Sequence, residues 1–519
     1  MKKLSHHFSA AWKMYARFGA RNVSGVSLYS TAAPRPQGKF RDASIRRLFR
    51  RISPELPSIS IVPILDQWIG EGETVNKSDL VTIINELRHY KRYKQALEIS
   101  MWMTDKRFYP LTRLDFANRL DLIAKVLGTE QAENYFNNIP SGFRVAEVYI
   151  ALLNCYGYNK QVEKAEAVMQ QMKDMGLSRT PSAYNALLNL YYQSWNHEKM
   201  DFLMREMDEK GIRLNKFTYG IRLSAYAAES DVEGINKVLA RMESDPEIVL
   251  DWLVYSVAAN GFTKAGLADE ALAALKKSEA LLSSAKKWST AFECLLTQYA
   301  AIGKKQEVLR LWELYKMKQQ VYNGGYISII TSLLKLGDIE SAEKIFEEWG
   351  SRQSKSKYDI RIPNFLIGAC CRKGLLEKAE ALVAQVKVEG GKPNVKTWSH
   401  LTTGYCVRKQ THKAVESIKE EISVAEPWWK LSKDNVAVCL DYLIGKGDVE
   451  QAEEIIRLLK DKDFVSMDGH ERLLNKIKEK ESISQEMLYM NGYDHRWKER
   501  KSRSLEANED SSSEAGFSE

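Results

Sequence analysis

Six cysteines and eight histidines are the first candidates for metal or nucleophilic chemistry in this chain. Cys155, Cys294, Cys370, Cys371, Cys406 and Cys439 lack the paired C-x2-C and His spacing that wraps four ligands around zinc. They read instead as packing residues of a reducing compartment. The histidines are scattered, with no H-E-x-x-H, and no H-x-E is matched by a C-x-x-C as a zinc deaminase would need. Neither a G-x-x-x-x-G-K-[ST] phosphate loop nor a G-x-G-x-x-G turn occurs, and no carboxylate cluster fits metal-dependent nuclease chemistry. The sequence therefore predicts no catalysis, no cofactor, no metal and no small-molecule substrate. What recurs is cationic. Lys125, Lys264, Lys335, Arg372, Arg408 and Lys446 stand at near-matching register, where a stripe of cations could meet phosphates. A cation near a helix C-terminus also complements the helix dipole, and that reading predicts the same residues.

The elements that would position these residues are helical. From Pro181 to Asn215, Tyr184, Leu187, Leu188 and Tyr191 recur at helical spacing; Met200, Leu203, Met204 and Met207 then repeat the pattern before Gly211 stops it. Such a hairpin is shorter than the roughly 40 residues at which an unaided core becomes viable. Neighbours are supplied along the chain. The small or apolar residue opening the second helix, often inside a phrase such as EKAE, recurs at Ala96, Ala132, Ala165, Met200, Ile235, Ala271, Val308, Ala342, Ala379, Ala414 and Ala452. The intervals run from 33 to 38 residues. A fixed period of this size predicts an all-α solenoid of about eleven helix-turn-helix units, each burying its apolar face against the next. The 37-residue intervals mark insertions in loops.

Residues 1–31 read as a mitochondrial transit peptide, with the chloroplast as the alternative: the first 41 residues carry eight Lys/Arg and no Asp or Glu. Residues 32–76 form a linker with a basic cluster, Arg46, Arg47, Arg50 and Arg51, and a short helix in IVPILDQWIGEG that caps the array. The cluster reads as a solvated helix face. Repeats fill 77–480, a helical cap covers 481–501, and the acidic, Ser-rich tail 502–519 has a disordered composition. The net charge of +8 belongs largely to the N-terminal segment, since beyond residue 41 basic and acidic residues balance. A balanced body argues against a strong, salt-driven, nonspecific nucleic-acid binder, though not against a basic groove. No apolar run of about 18 residues is present to insert in a membrane.

The period near 35, the phrases Y-N-A-L-L and E-K-A-E-A-L, and unit ends such as KGIRLN and GGKPN resemble pentatricopeptide repeats, and the whole resembles the P subclass of plant organellar proteins. The resemblance implies a right-handed superhelix whose first helices line a concave groove for single-stranded organellar RNA or ribosomal RNA. It further implies one base per repeat, read by a residue fifteen before the anchor and by the unit's last residue. Those first positions hold Val81, Ala117, Ile150, Asn185, Gly220, Ser256, Glu293, Ile327, Asn364, Ser399 and Ala437. Two units then carry a full pair, Asn185 with Asn215 and Asn364 with Asn394, a combination that resembles a pyrimidine reader. Ser399 would pair with Trp429, off the pattern. Two base-reading sites cannot select one transcript unaided, at about 1–3 kcal/mol each. The expected function is therefore RNA binding in processing, stability, splicing or translation. The alternative is a protein scaffold docked on the mitoribosome.

Overall fold

Local sequence sets each helix boundary in the computed structural model, which describes residues 43–466, apart from 55–58, 107–108, 286–287, 319, 353–357, 427–428 and 447, together with residue 469. The transit segment, the C-terminal cap and the acidic tail expected from the sequence lie outside the described residues. Two helices come first, α1 (Ala43–Ile52) and α2 (Val62–Gly70). Eleven helical pairs follow. They are α3 (Lys77–His89) with α4 (Tyr93–Asp105), α5 (Arg113–Val126) with α6 (Thr129–Asn138), α7 (Ala146–Tyr158) with α8 (Val162–Asp174), α9 (Pro181–Gln193) with α10 (His197–Glu209), and α11 (Lys216–Glu229) with α12 (Val232–Ser244). Then come α13 (Trp252–Ala265) with α14 (Ala268–Ala280), α15 (Trp288–Ala301) with α16 (Lys305–Lys318), and α17 (Asn323–Lys335) with α18 (Ile339–Arg352). The last three are α19 (Arg361–Lys373) with α20 (Leu376–Val388), α21 (Val395–Val407) with α22 (Thr411–Ser423), and α23 (Lys433–Lys446) with α24 (Val449–Asp461). No strand occurs among the described residues. The chain divides between Leu250 and Asp251 into two compact units holding repeats 1–5 and 6–11.

Several first helices open on a capping box, in which an N-cap side chain satisfies the N3 amide while the N3 side chain returns to the N-cap amide. Asn76 with Asp79, Thr112 with Asp115, Asn215 with Thr218 and Asn394 with Thr397 are the instances. Between the two helices of a pair the backbone turns through a left-handed residue five positions before the anchor: Lys91, Lys160, Trp195, Ser230, Gly266, Gly303, Gly337, Gly374 and Lys409. Glycine enters this region without a Cβ penalty, so four repeats use it. All eleven anchors are at most 1% exposed, as expected of the small or apolar residue that opens each second helix. The extra residues after α14 form a short 3-10 turn, Leu282–Ser284.

Within each unit the two layers differ. From repeat 2 to repeat 5, and again from repeat 6 to repeat 11, each first helix packs on the next first helix; among second helices only α22 and α24 do so substantially. A layer whose neighbours approach more closely is the inner layer of a curved stack. First helices are consequently buried on most sides, as the run Val148–Leu153 shows. This explains why Cys370 and Cys371, adjacent and so about 100° apart around α19, are both buried.

The second helices explain the balanced charge. In repeats 3, 4 and 10 a Lys one residue before the anchor pairs with a Glu one residue after the preceding anchor: Lys164 with Glu133 at 2.6 Å, Lys199 with Glu166 at 2.5 Å, and Lys413 with Glu380 at 2.7 Å. A first-helix tyrosine nine before the anchor joins two of them, since Tyr191 donates to Glu166 at 2.7 Å and Tyr405 to Glu380 at 2.8 Å. Each lysine lies over the ring of the corresponding tyrosine, Tyr156, Tyr191 or Tyr405. The EKAE phrase thus encodes a ladder of pairs between neighbouring repeats. These pairs are partly exposed, so each contributes only about 0–1 kcal/mol.

The basic cluster of the linker is part of a packed helix. In α1 the four arginines are exposed, as expected of a solvated face, and Arg47 and Arg51 also bind Glu73 and Glu71 and lie over the buried Trp68 ring of α2.

Candidate nucleic-acid interface

The inner layer presents the first helices, and two points on it carry matching polar clasps. Asn215 is the N-cap of α11; its Oδ1 accepts the amides of Phe217 and Thr218 at 3.0 and 3.1 Å. The same oxygen accepts Nδ2 of Asn185, on α9, at 3.2 Å. In the second unit Asn394 caps α21 through the amides of Lys396 and Thr397 at 3.1 and 3.2 Å, and accepts Nδ2 of Asn364 at 3.0 Å. Asn185 and Asn364 are 2% and 4% exposed, whereas Asn215 and Asn394 are partly open. Nδ2 of Asn215 and Nδ2 of Asn394 donate to nothing among the described residues. The clasps therefore bring together both predicted pairs and leave an N–H donor facing out. Sequence reasoning overlooked the threonine three after each N-cap, although N-x-x-T is visible at both places.

The third predicted point is built differently. Ser399, on α21, and Trp429 lie beside Glu421 of α22, and the Trp429 indole donates to its carboxylate at 3.2 Å. Burial raises the Glu421 carboxyl, against hydrogen bonds from Trp429, Ser399 and Thr402. Ser399 and Trp429 thus share a buried carboxylate. Next to Ser399, His400 packs over Gly368 of α19, where an added Cβ would stand 2.9 Å from Nε2. Burial, with Lys396 and Arg372 nearby, lowers His400 to about 4, so the imidazole is neutral.

The six predicted cations all sit at first-helix C-termini, yet their surroundings sort them. Lys125 is consumed internally. It pairs with Asp121 at 2.8 Å, lies 4.9 Å from the Tyr93 ring centroid and 5.2 Å from that of Tyr158, and shares Asp121 with Arg88. Burial would raise the Asp121 carboxyl, but Lys125 and Arg88 hold it down to about 2. Arg408 donates to the Lys373 carbonyl at 3.1 Å, which is the helix-capping alternative realised. Lys373 does the same to Gly337 at 2.9 Å. Lys264 is half-buried, and burial lowers its ammonium pKa. Lys446 is exposed and lies 4.9 Å from the Tyr442 ring centroid. Lys335 and Arg372 are exposed and have no acidic partner among the described residues. In the second unit the first helices carry Lys264, Lys335, Arg361, Arg372, Lys373, Lys396, Lys433 and Lys446 against Glu293, Asp434 and Asp441. Arg361 is neutralised by Asp359 at 2.6 Å, and the remaining first-helix cations still outnumber the carboxylates, while much of the charge on the second helices is neutralised in pairs. Among the described residues no group of three or more His, Cys, Asp or Glu is placed to hold a metal ion, and no helix is long and apolar enough to cross a membrane.

Against known proteins, residues 179–228 match the model described as PPR repeat family, residues 145–193 the pentatricopeptide repeat domain, and residues 326–353 and 363–390 the PPR repeat. The Arabidopsis thaliana pentatricopeptide repeat-containing protein At2g20710, mitochondrial, is 42% identical over 79% of this chain and 84% of that protein. This chain is a pentatricopeptide repeat protein. A further Arabidopsis relative, large ribosomal subunit protein mL101 (rPPR4), is 38% identical over 76% of this chain and 80% of that one. Among solved structures, the pentatricopeptide repeat protein PPR10 in complex with an 18-nt psaJ RNA element aligns with a TM-score of 0.51 at 20% identity. It covers 77% of this chain, which spans 57% of the PPR10 chain. This likeness establishes a shared α-solenoid fold. In this pentatricopeptide repeat chain the fourth and ninth units hold amides at both positions expected from the resemblance, whereas the first such position of the third unit is the buried, apolar Ile150.

Proposed function

We propose that this chain is an RNA-binding pentatricopeptide repeat protein of a plant organelle, the mitochondrion. It holds single-stranded RNA along the first-helix layer and acts in RNA processing, stability, splicing or translation without catalysis of its own. The observation that carries this reading is the excess of cations on the first helices of repeats 6–11, where Lys335 and Arg372 are exposed and have no acidic partner among the described residues. Phosphates neutralise such cations with counterion release. The asparagine clasps add limited base preference. Their open Nδ2 donors suit an acceptor-rich Watson–Crick edge, and cytosine offers N3 and O2 side by side. The mitochondrial relative and the acid-free first 41 residues support the location. The RNA-bound PPR10 neighbour supports the partner class. Crosslinking the native protein and sequencing the attached RNA tests the proposal. Reads concentrated on organellar transcripts or ribosomal RNA are expected; recovery of no RNA above background overturns it.

The likeness to mL101 favours a second reading, a mitoribosome-associated scaffold with little base recognition. In that case ribosomal proteins remain on the captured chain after ribonuclease treatment. Their loss under ribonuclease contradicts it.

A further inference from the structure

The amide pairs can offer a fixed face to a base only if something decides which way each amide points. Carboxamide oxygen and nitrogen are nearly the same size, and a half-turn about the terminal bond exchanges donor for acceptor. In both clasps the decision is traceable to backbone atoms, which cannot flip. Two helix N-terminal amides hold Oδ1 of Asn215, so its Nδ2 must face away. That oxygen then requires the nitrogen of Asn185 to face it, at 3.2 Å. The Asn185 oxygen is left pointing to the Thr218 hydroxyl, which donates to it at 2.8 Å. The hydroxyl proton has an alternative acceptor in Asn215 Oδ1, at the longer 3.2 Å. Its oxygen meanwhile accepts the Asn215 backbone amide at 3.2 Å. The second unit repeats the wiring. Thr397 accepts the Asn394 amide at 3.0 Å and donates to Asn364 Oδ1 at 2.7 Å, with Asn394 Oδ1 at 3.2 Å as its alternative acceptor. Both threonines are 0% exposed and cannot touch RNA themselves.

We infer that Thr218 and Thr397 are positioning residues for base recognition. Each belongs to the repeat after the one whose asparagine it holds, and its hydroxyl locks the Asn185–Asn215 or Asn364–Asn394 pair with donors outward. Without that hydroxyl, Asn185 or Asn364 is held through its nitrogen alone, by the oxygen of Asn215 or Asn394, and its carboxamide can tilt. The pair then no longer holds its amides at one fixed angle to a base. Recognition in these units is a three-residue property in which the third member lies one repeat further along the chain. The inference rests on the proposed base contacts of the asparagines.

The experiment compares binding of the full chain to poly(C) and poly(A) for wild type, for the double variant Thr218→Val with Thr397→Val, and for the matching pair of serine variants. Wild type prefers poly(C) by about tenfold or more, given two sites of about 1–3 kcal/mol each. The valine pair loses the preference while its salt dependence, set by phosphate contacts, is unchanged; the serine pair, which restores the hydroxyl, keeps it. Thermal unfolding of each variant shows whether the valine pair still folds. The single valine variants, each expected to lose part of the preference, carry the same test if it does not. A valine pair that folds less stably yet keeps the full poly(C) preference overturns the positioning role. Equal wild-type binding of both polymers removes the asparagine reading itself, a different failure.

Discussion

Asp121 is the most heavily committed single residue in the first unit. It is 4% exposed and balances Arg88 and Lys125, while the Tyr158 hydroxyl donates to it at 2.9 Å. Breaking a buried ion pair by removing one partner leaves an uncompensated charge and costs about 3–5 kcal/mol. Asp121→Asn is accordingly expected to destabilise the chain by about that amount in denaturant unfolding, without altering RNA binding by repeats 6–11. Its folded-state pKa of about 2 lies below the ordinary carboxylate value. The stability it confers is therefore present above about pH 4, lost as pH falls through about 2, and absent from the asparagine variant at every pH. A variant whose stability follows the wild-type acid profile contradicts this. The same network shows why a cation's role was not legible in sequence. Lys125 has the register of Lys335 and Arg372, but its neighbours Arg88 and Tyr158 lie more than thirty residues away along the chain. Only folding brings them to it.

Helix pairs reveal how one sequence phrase does several jobs. Lys before the anchor, Glu after it and Tyr nine before it build a cross-repeat triad in repeats 3, 4 and 10, and repeat 5 departs from the pattern instructively. There Gly234 replaces the lysine, Arg222 of α11 supplies the cation to Asp201, and the Tyr226 ring closes over the glycine. A Cβ at 234 would stand 2.3 Å from that ring. Gly234→Ala is expected to cost about 1–3 kcal/mol through overpacking, although alanine ordinarily favours a helix. Unchanged or raised stability in thermal unfolding contradicts the close approach. The anchors were readable from sequence because a small or apolar residue recurs at a fixed interval, and all eleven are buried. The triads and the N-x-x-T boxes were written in the same letters but join different repeats, so a repeat considered alone does not show them. The arginines of α1 are exposed, as their composition suggested; the contact of Arg47 and Arg51 with Trp68 was not legible, because long stems can pack while their charged heads stay in water.

For the molecule as a whole, a single helical period explains an all-α solenoid, a tight first-helix layer in each unit, and a charge-balanced body with an excess of cations on the first helices of its second unit. The first 41 residues, if they are a mitochondrial address, should carry a fluorescent reporter into mitochondria; a reporter left in the cytosol contradicts the location while leaving the RNA proposal standing. The central claim is that single-stranded RNA binds the first-helix layer through phosphates held by the second unit. A fluorescence-anisotropy titration of labelled poly(C) over a range of salt tests it most directly, comparing wild type with Lys335→Glu paired with Arg372→Glu. Saturable binding is expected, weakening with salt, and the reversal variant should bind at least tenfold more weakly, with a salt slope smaller by about 0.7 for each phosphate no longer neutralised. No saturable binding by wild type at low salt, or equal affinity and slope in the two proteins, contradicts the claim.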